Sequence, residues 1–221
     1  MRITRANNKA IEYACNHFHY AKAVPVNTLG YNIYNQNDDW CGVILYGMGA
    51  NKNIGTEYGL NQGQVYELVR VALNGKQECT SQAVAMTLKQ IHKDCPLCRL
   101  IVSYADCDQN HLGTIYQATN WVYVGLKNEN TRGGFIVNGK KTHPKSIYSI
   151  KIDGKHCPQT LDAIHKYIDL NATEYITKGK RKYLYALDKK MKKQIAKLSL
   201  PYPKIDADWQ KIDRKMFDKK D

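Results

Sequence analysis

The chain has 221 residues, of which 43% are hydrophobic, so it is long enough to bury one substantial core but too short for two. Its seven cysteines form no even framework, which excludes a small disulfide scaffold and favours the reducing cytoplasm. The first residues lack an apolar signal run, and no segment approaches the roughly 18 apolar residues of a membrane helix. We therefore expect a soluble, unsecreted protein that does not enter membranes.

The net charge of +13 is unevenly distributed along the chain. Residues 1–125 hold 10 Lys and Arg against 9 Asp and Glu, whereas residues 126–221 hold 23 against 11. A concentrated basic surface favours a polyanion such as nucleic acid, because each phosphate contact releases counterions. A solvated, lysine-rich surface without a partner gives the same composition, so both interpretations stay open at this point.

The first predicted element is an amphipathic helix over residues 7–20, whose apolar face repeats from Ile11 to Phe18. It contains His17 and His19, which are two positions apart and do not share a helix face. A metal-binding pair there requires the chain to have left the helix. Strands are predicted at residues 31–34 and 40–48, and a polar loop runs from Gly47 to Gly63. Loops of this length are more often functional or mobile than inert.

Strands and helices alternate between residues 64 and 125. A strand at residues 64–73 is followed by a turn at residues 74–79, and Thr80 or Ser81 caps a helix with an apolar stripe at Val84, Leu88 and Ile91. A strand at residues 100–105 then has the continuous apolar character of a strand buried on both faces. This alternation predicts parallel neighbouring strands joined by right-handed crossovers.

Polar residues follow the buried strand, beginning with Asp106. A short helix with Leu112, Ile115, Tyr116 and Thr119 at helical spacing comes next, and a strand follows at residues 121–124. In open α/β sheets, ligands bind outside the carboxyl ends of the strands. The sequence therefore places a site at Asp106 and its neighbours.

The basic region begins after Gly125. It contains a flexible connection at residues 128–134, two short strands within residues 135–152, a helix opened by Pro158, a basic turn at residues 178–182 and a strand at residues 183–187. Asp188 is predicted to cap the last helix, which ends before Pro201. We expect a catalytic core at residues 1–130, a basic extension at residues 131–205 packed on the core, and a charged, disordered tail at residues 206–221.

Several motifs together resemble the phage Mom-like proteins. They are His17-Phe-His19-Tyr20, Glu67-Leu-Val-Arg70, Ser103-Tyr-Ala-Asp106, His111-x-Gly113-Thr-Ile-Tyr116-Gln-Ala, Asn120-Trp-x-Tyr123-x-Gly125 and the ending LSLPYPK at residues 198–204. The resemblance covers most of residues 10–205, and its longest motif spans residues 103–125.

The resemblance implies an α/β fold with a GNAT-like mixed, twisted sheet flanked by helices, and a basic α+β extension at the C-terminal side. It implies a transferase that places a carbamoylmethyl (acetamido) type group on the exocyclic amine of adenine in phage DNA, which protects that DNA from host restriction. Double-stranded DNA is then the partner, and the bacterial cytoplasm is the location of this phage or prophage protein. A homodimer is a further expectation, because GNAT proteins often dimerise.

Asp106, His19, Tyr20, Ser103 and Tyr116 are the candidate catalytic residues. A carboxylate at Asp106 suits a general base or a metal ligand, and the alternative is that it caps the next helix. The resemblance links the family to iron, for which His19, Tyr20 and Asp106 form a His, Tyr, Asp ligand set. Tyr116 suits a proton donor to a leaving group, and the alternative is that it packs in the core.

Arg70, Lys76, Thr80 and Ser81 are the candidate donor-binding residues. The GNAT superfamily cradles the acetyl-CoA pyrophosphate with the pattern Gln/Arg-x-x-Gly-x-Gly/Ala at a helix N-terminus. Residues 74–81 contain one glycine, and Glu78 repels phosphate, so we expect a different donor or a remodelled donor site. Arg70 suits a carboxylate or phosphate. Glu67 and Arg70, three apart on a strand, are expected to face opposite sides of the sheet.

Lys140, Lys141, Lys180, Arg181 and Lys182 are the candidate nucleic-acid contacts. Chemistry on the adenine amine requires the base to leave the duplex, and phosphate contacts together with Tyr or Trp stacking offset the cost of about a few kcal/mol.

Two alternatives remain open. The spacing of Cys95, Cys98, Cys107 and His111 is that of a zinc knuckle, although the buried strand between the pairs argues against it. The alternative functions are a non-catalytic nucleic-acid-binding protein and a general GNAT N-acyltransferase with another amine substrate.

Overall fold

The computed structural model describes residues 1–26, 28–48 and 53–204. The strands are β1 (Arg2–Arg5), β2 (Thr28–Tyr34), β3 (Trp40–Gly47), β4 (Val65–Leu73), β5 (Leu100–Asp106), β6 (Val122–Lys127), β7 (Arg132–Val137), β8 (Lys140–Thr142), β9 (Lys151–Ile152), β10 (Lys155–His156), β11 (Thr173–Ile176) and β12 (Lys180–Ala186). The helices are α1 (Asn8–Phe18), α2 (Thr80–Asp94), α3 (Thr114–Gln117), α4 (Pro144–Ser149), α5 (Leu161–Tyr167) and α6 (Lys189–Ala196), with 3-10 turns at Thr56–Tyr58 and Cys107–Gln109. Within these ranges, no helix combines the length and the apolar character needed to cross a bilayer.

The chain divides into two compact units. The first consists of Met1–Ala105, His111–Gly125 and the chain from Arg181 onward, and the second of Asp106–Asn110 and Leu126–Lys180. β12 and α6, which the sequence assigns to a C-terminal extension, thus belong with the first unit. The physical reason is burial, because Leu184 of β12 and Met191 of α6 share one apolar cluster with Leu100 of β5. The tail predicted at residues 206–221 lies outside the described residues.

A seven-stranded mixed sheet forms the first unit, with the order β1-β2-β3-β4-β5-β12-β6. β1 to β4 pair antiparallel, and β4 pairs parallel with β5. The predicted mixed sheet flanked by helices is therefore confirmed. The expectation that β5 and β6 are neighbours is wrong, because β12 lies between them; its Tyr183 and Leu184 are fully buried, as an internal strand requires.

A β-bulge lies in β4 where it pairs with β3. Tyr46 is opposite Leu68 and the preceding residue of β3, Leu45, is opposite Arg70, so Val69 is an extra residue. The extra residue shifts the alternation of side chains by one position. Glu67 and Arg70 therefore lie on the same face of the sheet, and the expectation of opposite faces is wrong.

The parallel pairing of β4 with β5 is short. It joins Val65 to Leu100, Tyr66 to Ile101 and Glu67 to Val102, and the ladder ends there. Beyond this point a side chain replaces the backbone pairing, since the Ser103 hydroxyl lies 2.9 Å from the carbonyl oxygen of Leu68. The two strands thus open towards their carboxyl ends, which is where a ligand can reach between them.

Helices cover both faces of the sheet in the first unit. On one face, Leu88 and Ile91 of α2 pack with Ile101 and Trp121. On the other face, Ile11 and Ala14 of α1 pack with Val43 and Leu45 of β3. The helix stripes predicted from the sequence are the ones that are buried here, which is the physical basis of the layered fold.

The helix ends depend on side-chain caps. Asn7 caps α1, which ends at Phe18, so His19 and Tyr20 follow the helix instead of continuing it. Asp188 caps α6 as predicted, with its carboxylate 2.8 Å from the Met191 amide. Two predicted helix starts are wrong. Cys79, not Thr80 or Ser81, is the N-cap of α2, and Thr160 caps α5, so that Pro158 lies outside that helix.

The second unit has a small core of its own. β7 is the central strand of a three-stranded antiparallel sheet with β11 and β8, and β9 pairs with β10 in a separate hairpin. The two helices α4 and α5 contribute Ile147 and Ile164 to a cluster around the fully buried Phe135. The predicted short strands within residues 135–152 correspond to β7 and β8, with α4 following them.

Candidate active site

Polar side chains of the first unit collect where β4 and β5 open. His19 and Tyr20 come from the segment after α1, with ring centroids 4.3 Å apart. The Tyr20 ring meets His111 edge to face, with centroids 5.8 Å apart. Arg70, which follows the bulge of β4, acts electrostatically on His19 together with His111. The structure therefore brings together three residues that the sequence selected, His19, Tyr20 and Arg70.

His19 is a neutral hydrogen-bond donor in this arrangement. Burial, together with the nearby charges of Arg70 and His111, lowers its pKa to about 4, so the ring is uncharged at pH 7. Its Nδ1 lies 3.1 Å from the amide nitrogen of Ala21 and accepts that N–H. The single proton of the neutral ring is therefore assigned to Nε2. A ring in this tautomer donates from Nε2, and it does not accept a proton or bind a metal there.

Arg70 has a donor without a partner. Its Nη1 donates to the carbonyl oxygen of Val69 at 2.7 Å, whereas its buried Nε has no hydrogen-bond partner among the described residues. Leaving a buried donor unsatisfied costs about 1–3 kcal/mol, more for a charged group. An oxygen of a carboxylate, phosphate or developing oxyanion would satisfy this N–H. The predicted role of Arg70 in holding the donor agrees with this geometry and stays a prediction.

Ser103 and Tyr116 form a hydrogen-bonded chain at the opening. The Ser103 hydroxyl lies 2.9 Å from the Leu68 carbonyl oxygen and 2.8 Å from the Tyr116 hydroxyl. Ser103 has one proton, which it donates either to the carbonyl or to Tyr116; when it donates to Tyr116, the Tyr116 O–H is available to another acceptor. Burial raises the pKa of Tyr116 to about 12, with contributions from Tyr20 and Glu67. Tyr116 is therefore protonated at neutral pH, as a general acid must be before it acts.

Gly113 fixes the start of the helix that carries Tyr116. Its φ of +78° is in the left-handed region, and an added Cβ would collide with the Tyr183 ring. The Tyr183 hydroxyl donates to the Leu112 carbonyl, and Gln117 Nε2 donates to the same hydroxyl at 3.2 Å. The glycine in the His111-x-Gly113 motif is thus required by the close approach of β12.

Asp106 belongs to the second unit, where it caps a 3-10 turn. Its carboxylate accepts the amide N–H of Asp108 at 2.9 Å, and the turn Cys107–Gln109 begins directly after it. The sequence left two roles open for Asp106, a cap and a general base, and the structure shows it as a cap. The role as a general base stays a prediction.

The described residues hold no cluster of the most common metal ligands. In the described ranges, no group of three or more His, Cys, Asp or Glu side chains could hold a metal ion. The zinc alternative therefore fails. Cys95 and Cys98 instead share a backbone hydrogen bond of 2.9 Å in the turn before β5. The iron set of His19, Tyr20 and Asp106 contains a tyrosine and stays a prediction, and His19 Nε2 would have to lose its proton before it bound a metal.

The candidate donor loop at the start of α2 is internally hydrogen-bonded. Thr80 Oγ1 accepts from Gln77 Nε2 at 2.8 Å, and Ser81 Oγ lies 3.1 Å from Cys79 Sγ. Glu78 accepts the amide N–H of Gln36, which lowers the pKa of its carboxyl. Lys76 is exposed. The roles of Lys76, Thr80 and Ser81 in binding an anion stay predictions.

The five basic residues proposed for nucleic acid have different environments. Lys140, Lys141 and Lys180 are exposed residues of the second unit. In the first unit, Arg181 Nη1 donates to the carbonyl oxygen of His111 at 3.0 Å. Lys182 is 4% exposed, pairs with Glu57 and lies over the Tyr58 ring. The prediction for Lys182 is wrong, because its ammonium group is buried in an ion pair.

His111 lies in the candidate site, although the sequence suggested it only as a zinc ligand. It is in ring contact with Tyr20 and in electrostatic contact with His19. Its place in the longest of the motifs was the available signal.

The strand order, the bulge and the opening between β4 and β5 define a GNAT-like α/β protein with a polar site at the open strand ends. Among solved structures, similarity is found to an acetyltransferase from Bacillus subtilis in complex with CoA, at 11% identity and a TM-score of 0.47, covering 85% of this chain and 99% of that chain. A GNAT family acetyltransferase from Elizabethkingia anophelis with acetyl-CoA bound has 10% identity and a TM-score of 0.44, covering 84% and 97%.

The chain belongs to the Mom protein family, whose model matches residues 1–204. The family predicted from the motifs is therefore confirmed. A search of the curated proteins finds no sequence match.

Proposed function

We propose that this protein is a transferase that modifies adenine in double-stranded DNA. It adds a carbamoylmethyl (acetamido) type group to the exocyclic amine and so protects the DNA from restriction. Membership of the Mom family supports the proposal. The observation that carries it is the convergence of an unpartnered arginine N–H, a neutral histidine donor and a protonated tyrosine beside the exposed ring of Tyr20.

Each of these groups has a task in transfer to an amine. Arg70 Nε–H and His19 Nε2–H stabilise negative charge on a donor oxygen, which is worth most when the charge develops in the transition state. The new bond forms between the amine nitrogen and the donor carbon as the bond from that carbon to the leaving group breaks. Tyr116 gives its proton to the leaving group, and the amine loses one proton. Asp106 is the candidate acceptor of the amine proton.

Tyr20 suits recognition of the base. Its side chain is 51% exposed, and its face lies next to His19. An adenine taken out of the duplex gains about 1–3 kcal/mol by stacking on an aromatic ring. Stacking would hold the exocyclic amine near the polar cluster without requiring a metal.

We propose that the donor carries a carboxylate, phosphate or carbonyl oxygen that accepts a hydrogen bond from Arg70 Nε–H. The turn before α2 departs from the glycine pattern of acetyl-CoA loops, and Glu78 is anchored to Gln36 within that turn. These features favour a donor other than acetyl-CoA or a remodelled donor site.

Mass spectrometry of nucleosides tests the proposed function. DNA from cells that express the wild type is expected to contain an adenine nucleoside heavier by the added group, and Arg70→Gln is expected to abolish it. Lys89→Gln, an exposed substitution on α2, is the matched control and is expected to leave the modification intact. Unmodified adenine with a soluble wild-type protein that binds DNA would contradict the proposal. It would favour a non-catalytic DNA-binding protein, or an acyltransferase with another amine substrate.

A further inference from the structure

The outer side of α6 carries five lysines, which we call the α6 lysine face: Lys189, Lys190, Lys192, Lys193 and Lys197. All five are exposed. Met191 and Ile195, four residues apart, are buried in the core of the first unit and define the inner side of the helix. Lys189, Lys193 and Lys197 follow one another at the same spacing on the opposite side, and Lys190 and Lys192 flank them.

Part of this charge distribution opposes the stability of the helix, although the dipole favours Lys193 in the last turn. Lys189 and Lys193, and Lys193 and Lys197, are like charges four residues apart, which repel on a helix surface. Lys189 and Lys190 lie in the first turn, where the helix dipole disfavours positive charge. Among the described residues, no Asp or Glu forms an ion pair with any of the five. Repulsion that lowers the stability of a helix is expected where a binding partner offsets it.

α6 is nevertheless held firmly in the first unit. Its cap Asp188 accepts two hydrogen bonds from Arg99, at 2.7 and 3.2 Å. Gln194 Nε2 donates to the carbonyl oxygen of Tyr58 at 3.0 Å. Together with the buried Met191 and Ile195, these contacts fix the helix, so the lysines extend from a rigid base. Less entropy is then lost when several of them bind one partner.

We propose that the α6 lysine face binds the phosphate backbone of double-stranded DNA; this inference rests on the proposed function for the choice of DNA as the polyanion. Lys189 to Lys197 spans about 12 Å of helix axis, and a duplex carries one negative charge per about 1.7 Å. Several phosphates therefore lie within reach of the face. Such contacts position the duplex and do not read its sequence. An anionic membrane fits less well, because the apolar side of α6 is already buried and cannot enter a lipid surface.

Salt-dependent binding of a short duplex to the full chain tests this inference. The variant combines Lys189→Gln, Lys193→Gln and Lys197→Gln, and the matched control combines Lys9→Gln, Lys89→Gln and Lys93→Gln, which removes the same charge from α1 and α2. Binding is measured by fluorescence anisotropy between about 50 and 200 mM salt, where each lost phosphate contact lowers the slope by about 0.9. We expect the slope to fall by about 1–3 in the variant and to be unchanged in the control.

The thermal midpoint supplies a second readout. Removing like charges from α6 is expected to leave the midpoint of the variant equal to or above that of the wild type, so weaker binding will not reflect unfolding. An unchanged slope in the variant, an equal loss in variant and control, or no duplex binding by the wild type would each overturn the inference. Binding to anionic vesicles but not to the duplex would overturn it in favour of a membrane partner.

The inference and the proposed function fail in different experiments. Modified adenine in cells together with an unchanged salt slope in the variant overturns only the α6 lysine face. A lowered slope together with unmodified adenine in the wild type overturns only the proposed chemistry.

Discussion

Both units contain carboxylates that accept backbone amides, such as Asp188 in the first unit, but they differ in where the largest pKa shifts lie. In the second unit, carboxylates accept backbone amides at turns. Asp108 binds the Lys178 N–H and the Thr177 hydroxyl, and Asp169 binds the amides of Asn138 and Asn171. In the first unit, His19 and Tyr116 are half-buried or buried and have pKa values of about 4 and about 12.

This difference indicates which of the two units carries most of the reaction chemistry. A carboxylate that closes a turn is explained by the fold, and its lowered pKa follows from the amides that it accepts. A tyrosine kept protonated beside an exposed aromatic ring closes no turn, and perturbed groups of this kind concentrate at functional sites. Substitutions in the first unit should therefore affect chemistry, whereas those in the second unit, apart from the candidate base Asp106, should respond mainly in stability.

The largest expected effect is on catalysis in the first unit. Tyr116→Phe keeps the ring and removes the hydroxyl, and it is expected to lower adenine modification by about 100-fold or more, as loss of a general acid does. Tyr185→Phe, in the same aromatic cluster, is the control and is expected to retain modification. Nucleoside mass spectrometry measures both. Equal activity of the two variants would show that the Tyr116 hydroxyl is not part of the chemistry.

Gly113→Ala is expected to destabilise the first unit by about 2–4 kcal/mol, because the added methyl meets the Tyr183 ring at a positive φ. Gly75→Ala is the matched control. Gly75 has a φ of +84° and open space around it, so only the backbone cost of about 1 kcal/mol is expected. Denaturant unfolding measures the difference, and equal losses would show that the contact with Tyr183 is unimportant.

Stability is expected to fall on acidification because of His19. Its pKa is about 4 in the folded chain and 6.5 ordinarily, so the unfolded chain binds more protons between these values. The stabilisation is fully present above about pH 6.5 and is lost as the pH falls towards 4, by about 1–3 kcal/mol. His19→Gln should reduce this dependence when unfolding is followed at several pH values. An identical pH profile in the variant would contradict the neutral, buried ring.

The smallest expected effect is that of substituting Asp106, and it tests whether this residue is a base or only a cap. If the side chain only caps the turn, Asp106→Asn keeps the cap and the activity, whereas Asp106→Ala loses about 1 kcal/mol of stability. If it is also the base, both variants lose adenine modification. Thermal unfolding and nucleoside analysis of the pair separate these outcomes, and an active Asp106→Ala would exclude the catalytic role altogether.

The sequence predicted features that depend on neighbours along the chain. The strand, helix and strand of β4, α2 and β5 follow from local periodicity, and the Asp188 cap follows from the residues beside it. The insertion of β12 between β5 and β6 depends on contacts between distant segments, and no local pattern encodes it. The burial of Lys182 against Glu57 is likewise a long-range contact in a segment that reads as a basic turn.

The sequence named several residues of the candidate site but did not predict how they are arranged. The sequence selected His19 and Tyr20 as catalytic residues and Arg70 as a donor-binding residue, and the structure places the three near one another. Their roles stay predictions. The tautomer of His19 depends on a hydrogen bond to Ala21 that forms only when the chain leaves α1. The zinc set could not be rejected from residue types alone, since the types are suitable and only their placement is not.

The extra residue in β4 changes which residues of the strand face each side of the sheet. Side chains before and after Val69 alternate between the two faces in different registers, and Arg70 belongs to the second register. Deleting Val69 would restore a single register and move the Arg70 side chain to the other face of the sheet, while every residue of the site kept its identity. Transplanting this site into another scaffold therefore means carrying over the irregularity in the strand together with the residues.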